Sequence, residues 1–292
     1  MNINPFPNGW RLRRRVASAC LALAGAFAVA PVHADLAKIQ QSGTLKVALY
    51  QDLPPFSDSI GNQLTGVDVA LAKALCKQMG LSASILPFSA SDDGMSGDLR
   101  NMVWRGHYLG YGPADVMMHV PVDPVFMRQN DKALIFAPYH REMVVLAFDP
   151  QRIRQVDRFE DLSGLPTGAE AGSTGANALL TSAQGALRDK VKIYSKSADV
   201  LGALFSGEIA AAMVTRAEYE NALKERGQSA ERYPTTQLAS PLLPSRGWVI
   251  GMAVKADQEA LAQELQRALD TLRSSGELQN IFNQHGVSLV VP

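Results

Sequence analysis

The residues of this chain best suited to chemistry are Gly172, Ser173 and Thr174, which fall between a strand-like run and a helical one. Glycine lets a ligand approach the backbone, two hydroxyls can donate, and the free N–H groups of a helix start favour negative charge. The same three residues would also make an ordinary helix cap, where Ser and Thr are common. His107, His119 and His140, with Met117, Met118 and Asp123 nearby, raise the question of a metal. No HxH, HExxH or CxxC spacing accompanies them, so no metal and no cofactor is expected. Met117 and His119 share one strand face, Met117 read as core and His119 as cleft lining. A nucleophile is poorly supported, because AGSTG has Ala171 where the Gly-x-Ser-x-Gly elbow needs glycine. Glu170 and His119 are candidate acids or bases, but nothing in the sequence pairs them. The chain is expected to bind, not to catalyse.

These residues need elements to hold them, and the chain supplies an alternating series. After residue 35, LKVALY (45–50), SASILPF (82–88), ADVMMHV (114–120), MVVLAF (143–148), KVKIYS (191–196), AAAMV (210–214) and WVIGMAV (248–254) read as strands. VDVALAKALCKQMG (67–80) reads as a helix, with Val67, Leu71, Ala74, Leu75 and Met79 at helical spacing and Gly80 as its stop. Further helices are expected from about Ala176, over 198–207 and 216–227, and over 256–275 and 277–284 near the end. Strands alternating with helices predict an α/β protein with mostly parallel sheets. Segment 89–113 is rich in Gly, Asp and aromatics and breaks the pattern. Such a stretch is either a surface excursion or part of a site.

The first 34 residues stand apart. Arg11, Arg13, Arg14 and Arg15 precede the apolar run VASACLALAGAFAVAPV, then VHA and Asp35. A basic region, an apolar stretch and small residues before the cut predict a secretory signal peptide cleaved after Ala34, and so a periplasmic protein. The run is short for a membrane span and is broken by Pro31. Lipid attachment at Cys20 and twin-arginine export both fit the pattern poorly. Residues 1–34 hold four Arg and no acid, so totals of 28 and 28 become 24 − 28 = −4. A mildly acidic chain with 47% hydrophobic residues is neither disordered nor a candidate for nucleic acid or anionic membrane. Cys20 leaves with the signal and Cys76 remains alone, so no internal disulfide is expected.

LKVALYQDLPPFS followed by QLTGVDVALAKALCKQMGL resembles the opening of family 3 periplasmic solute-binding proteins, the type serving polar amino-acid importers. ADVMMHVPVD…LIFAPYHREMVVLAF resembles the end of their first lobe and the first crossover. EAGSTGANALL resembles the second-lobe anion loop, and SGEIAAAMVTRAEYENAL the late strand–helix unit. GWVIGMAVKAD…LAQELQRALDTLRSSGELQNIFNQHG resembles the return strand and terminal helices. The likeness runs in order over residues 42–287. It implies two α/β lobes joined by two crossover strands, with the ligand in the cleft between them. Lobe one would span 35–145 plus 246–292, and lobe two 146–245. The implied protein is a monomer that captures a small polar or anionic solute and delivers it to an inner-membrane ABC permease.

The resemblance also implies site residues. Tyr50, Phe56, His119 and Arg128 would line lobe one, and Gly172, Ser173, Thr174 and Thr215 lobe two. Members of the family hold an α-amino acid with a lobe-one Arg on the carboxylate and a lobe-two Asp on the ammonium. Thr215 stands at the Asp position, Arg128 aligns only with a gap, and Tyr50 and Leu53 replace the usual acidic and aromatic residues. A hydroxyl cannot neutralise a buried ammonium. The ligand is therefore expected to lack a free α-ammonium. DVMMHVPVD…APYHRE is also similar to solute-binding-like proteins encoded beside pyrroloquinoline-quinone alcohol dehydrogenases. That likeness implies an accessory role beside a quinoprotein dehydrogenase as the alternative. A periplasmic dehydratase-like enzyme is the third reading.

Overall fold

The computed structural model describes residues 34–61 and 63–292. The signal-peptide reading falls on residues outside this range. Helix α1 (Ala34–Ser42) buries Leu36 and Ile39 and leads into β1 (Thr44–Tyr50). A small three-stranded sheet follows, made of β2 (Asp52–Leu53), β3 (Ser57–Ile60) and β4 (Gln63–Thr65). Helix α2 (Val67–Gln78) buries Val67, Leu71, Ala74 and Leu75, the face its spacing predicts, together with Cys76. Gly66, at φ +128, starts it, and a Cβ there would collide with the Phe56 carbonyl. The chain continues through β5 (Ser82–Phe88), α3 (Gly94–Leu99), a π-helical turn over 100–104, β6 (Val116–Pro121) and α4 (Pro124–Gln129) to β7 (Ala133–Glu142).

The chain then crosses into a second sheet through β8 (Val144–Phe148), β9 (Thr167–Glu170), α5 (Thr174–Thr181), β10 (Val191–Tyr194), α6 (Ser197–Phe205), β11 (Ala211–Thr215), α7 (Arg216–Arg226) and β12 (Thr235–Thr236). It returns as β13 (Trp248–Lys255), followed by α8 (Glu259–Ser274) and α9 (Glu277–Gln284). The first sheet has the order β5-β1-β6-β13-β7 and the second β10-β9-β11-β8-β12. In each, four strands point the same way and one, β13 in the first sheet and β8 in the second, runs antiparallel between its neighbours. The expectation of mostly parallel sheets holds for the direction of four strands in each; the exception is the strand that arrives from the other lobe and so enters from the opposite end. Each sheet is covered on both faces by apolar clusters. The architecture is α/β and two-lobed.

Segment 89–113 is a layer of the first lobe. Leu99, Met102 and Val103 are buried against the sheet face opposite α2 and α8. Its tip remains outside, with Tyr108 88% exposed. The lobes also meet behind the crossover. Lys224 of α7 donates to the carbonyls of Asn283 and Gln284, at 3.2 and 2.7 Å, and Asn221 donates to His285. Ser288 N–H reaches Glu220 at 2.6 Å, while Val290 exchanges bonds with Arg141 and His140 within the first lobe. No described helix is long and apolar enough to cross a membrane.

Candidate functional site

The carboxyl end of β1 faces the carboxyl ends of β9 and β10 across a cleft of about 370 Å³. Asp52, Pro54, Pro55 and Asp58 line it from the first lobe, and Glu170, Ser195–Ala198, Glu218, Glu225 and Arg226 from the second. A smaller cavity of about 130 Å³ shares Glu170 and Glu218 and runs on to Ser173, Thr174, Gly175, Thr215 and Trp248. Clefts at strand carboxyl ends are where such sheets bind ligands.

Five carboxylates (Asp52, Asp58, Glu170, Glu218, Glu225) line the larger cavity against two cations, Lys196 and Arg226. Asp52, Glu225 and both cations are exposed at the rim, while Glu170 and Glu218 lie deeper. Glu170 Oε2 accepts the Ser197 N–H at 2.9 Å, and Glu218 Oε2 accepts the Thr215 N–H at 2.8 Å. Burial pushes both carboxyls above the usual range, and the charge of Glu170 adds to the shift of Glu218. Among the described residues neither forms an ion pair within 4 Å. The start of α5 lines the same smaller cavity. Ser173 caps it, its hydroxyl oxygen accepting from Ala176 N–H at 3.0 Å. The N–H groups of Thr174 and Gly175 have no partner among the described residues and aim their partial positive charge at the smaller cavity.

The expected site residues divide. Ser173, Thr174 and Thr215 line the smaller cavity. Gly172 forms the exposed turn ahead of α5, at φ +74. Thr215 caps α7 in a reciprocal box with Glu218, its hydroxyl accepting from Glu218 N–H. Thr215 itself brings no charge, but Glu218, on the first turn of α7, and Glu170 line the same cavity. Tyr50 lines neither cavity. It is buried, its ring packs on Phe88 at 4.4 Å, and its hydroxyl donates to Asp98 at 2.7 Å, so it belongs to the core. Arg128 lies exposed on α4 and lines neither cavity. Phe56 is buried with its ring edge on His119 at 4.5 Å. His119 ends up against Asp68, at 3.0 Å. Sequence reasoning missed Glu218, Asp68, Tyr139 and Trp248. For Glu218 a signal existed in the Thr-x-x-Glu spacing of a capping box. Among the described residues there is no group of three or more His, Cys, Asp or Glu placed to hold a metal ion.

Where the lobes join, Glu142 is buried and accepts from Met143 and Ala217 N–H groups at 2.8 and 3.3 Å. Burial raises its carboxyl to about 7 despite nearby Arg216. His140, 4.0 Å away, is held down to about 3, first by burial and then by Arg216. It is uncharged at neutral pH, so this contact is not an ion pair.

No family model and no curated protein matches this chain. Solved structures do. An ancestral cationic amino-acid solute-binding protein matches at 21% identity and TM-score 0.66, over 86% of this chain and 99% of that one. A polar amino-acid ABC uptake transporter substrate-binding protein from Streptococcus thermophilus matches at 21% identity and TM-score 0.64, over 88% and 90%. An ancestral amino-acid-binding protein described as a precursor of cyclohexadienyl dehydratase matches at 21% identity and TM-score 0.58, over 86% and 99%. The fold is thus that of two-lobed solute-binding proteins.

Proposed function

We propose that this chain is a periplasmic solute-binding protein for an ABC importer, which closes over a small polar solute and does no chemistry on it. Lobe one comprises 35–145 and 246–292, and lobe two 146–245. The observation that carries the reading is the arrangement of charge on the second-lobe side of the cleft. Two partly buried carboxylates without counter-ions face a helix start with unpartnered N–H groups. A cation between Glu170 and Glu218 would relieve their mutual repulsion. A carboxylate at α5 would meet the free N–H groups. The ligand class that satisfies both is a zwitterion, and the acidic lining speaks against a simple anion. The fold's neighbours named for amino acids support this class.

Isothermal titration calorimetry against a panel of L-amino acids, dicarboxylates and phosphate tests the reading. A zwitterion should bind at micromolar Kd or tighter. Binding by dicarboxylates or phosphate alone would overturn the ligand class, and turnover of any probe, read by mass spectrometry, would overturn the absence of chemistry.

A further inference from the structure

Asp68, Tyr139 and His119 form a polar cluster that the charge arrangement above leaves unused. Asp68, in the first turn of α2, is fully buried. Its Oδ2 lies 3.0 Å from His119 Nδ1, and its Oδ1 accepts from the Tyr139 hydroxyl at 2.8 Å. Tyr139 is itself fully buried, and burial, followed by the Asp68 charge, pushes its phenol well above the ordinary range. It therefore remains a donor, and its oxygen accepts the His119 backbone N–H at 3.2 Å. His119 adopts φ +60, a left-handed conformation that costs energy in a residue with a Cβ and persists only where its surroundings impose it.

One atom of the imidazole is left over. His119 Nε2 has no protein partner among the described residues, yet it is not buried, on a side chain 13% exposed. It sits toward the carboxyl end of β6. That strand runs parallel to β1, whose own carboxyl end leads through Asp52 and Pro54 into the cleft lining.

We propose that Asp68, locked by Tyr139, fixes His119 in the Nδ1–H tautomer, so that Nε2 offers a bare lone pair to the cleft and selects solutes bearing an N–H or O–H donor there. This rests on the solute-binding reading and names what the ligand must carry besides its zwitterionic end. Asp68 spends one oxygen on a phenol and the other on the imidazole, which commits the ring's one proton inward. An amide or hydroxyl on the solute meets an acceptor at Nε2. An isosteric carboxylate meets lone pair with lone pair, and a site that leaves a polar group unpaired discriminates strongly. His119 is the contact, and Asp68 and Tyr139 are positioning residues.

The test has two arms at pH 8, where an ordinary imidazole is neutral. Long-range 15N–1H NMR of histidine-labelled protein reads the tautomer, and calorimetry compares L-glutamine with its carboxylate isostere L-glutamate. Wild type should show Nδ1–H at His119 and prefer glutamine at least tenfold. Asp68→Asn should invert the tautomer, because its amide donates to Nδ1, and should erase the preference. Tyr139→Phe keeps the ring and is the second variant if Asp68→Asn does not fold; it should mix the tautomers and narrow the preference. An Nε2–H tautomer in wild type, or a preference unchanged in the variants, overturns the relay. A protein that shows the Nδ1–H tautomer and binds other zwitterions, but does not prefer glutamine, overturns solute selection alone, whereas silence toward every L-amino acid of the panel overturns the zwitterion reading on which it rests.

Discussion

Glu218 is already tied to the Thr215 N–H, so a bare capping box would account for its conformation. What capping does not account for is a second carboxylate, Glu170, facing the same cavity without a counter-ion. Glu170→Gln and Glu218→Gln should each weaken zwitterion binding by roughly 2 kcal/mol, more than tenfold in Kd, by calorimetry. Arg128→Ala should leave the Kd unchanged, since that side chain is exposed on α4. The sequence pointed to Arg128 because a charged residue after β6 fits the expected role, but spacing alone cannot show which way a short helix turns its side chains. Tyr50 was misread for a related reason. Its neighbours Phe88 and Asp98 are 38 or more residues away in sequence, and nothing local announces them. Glu142 yields a separate expectation. An unfolded Glu ionises near 4.5, whereas the folded group does so at about 7. Between those values the folded state holds a proton that the unfolded state has lost, so this group makes stability fall as pH rises through the window, by up to roughly 3 kcal/mol. Urea denaturation at pH 5 and pH 8 should show the loss, and Glu142→Gln should remove most of it. An identical pH dependence in the variant would contradict the assignment.

At the scale of elements, strands and helices with strong periodicity were legible. β5 and α9 fall where the sequence puts them, and α2 and α7 agree to within two residues. β7 was not legible as a strand. It carries Pro138 and lies at the sheet edge, where a missing N–H is tolerated. The two-residue strands β2 and β12 are too short for any period to register. α5 shows how one element can serve two ends. Ser173 both caps the helix and lines the smaller cavity. Ser173→Ala should cost about 0.5–2 kcal/mol of stability by thermal denaturation, through the lost bond to Ala176. Thr174→Val loses no cap and should leave stability nearly unchanged. If its hydroxyl meets the ligand carboxylate, Thr174→Val weakens binding by about 1 kcal/mol, and an unchanged Kd would mean that only the backbone N–H groups are used.

The whole molecule is two sheets held by crossover strands and by a tail. Gly247 lies so close to Glu142 that a Cβ would strike its carbonyl, which fixes the two crossings against each other. Beside them, residues 283–288 of the first lobe are bonded to α7 of the second. Closure must move α7 against this strap, so the strap biases the balance of open and closed states. Asn221→Ala together with Lys224→Ala, which removes three of these bonds, should lengthen the distance between spin labels placed across the cleft in ligand-free protein, read by double electron–electron resonance. An unchanged distance distribution would show that the tail is inert. The two-lobed plan itself was legible from the order of motifs along the chain, whereas the charge of the cleft was not, because Glu170 and Glu218, far apart in sequence, meet only in the folded second lobe and Asp52 joins them only across the cleft. That meeting is the central claim, and calorimetry on the wild type with zwitterionic amino acids, simple anions and the Glu170→Gln/Glu218→Gln double variant tests it most directly. The expected result is binding of at least one zwitterion by the wild type, silence from the anions, and loss of that binding in the folded double variant. Anion binding that survives, or improves, when both carboxylates are removed would contradict it.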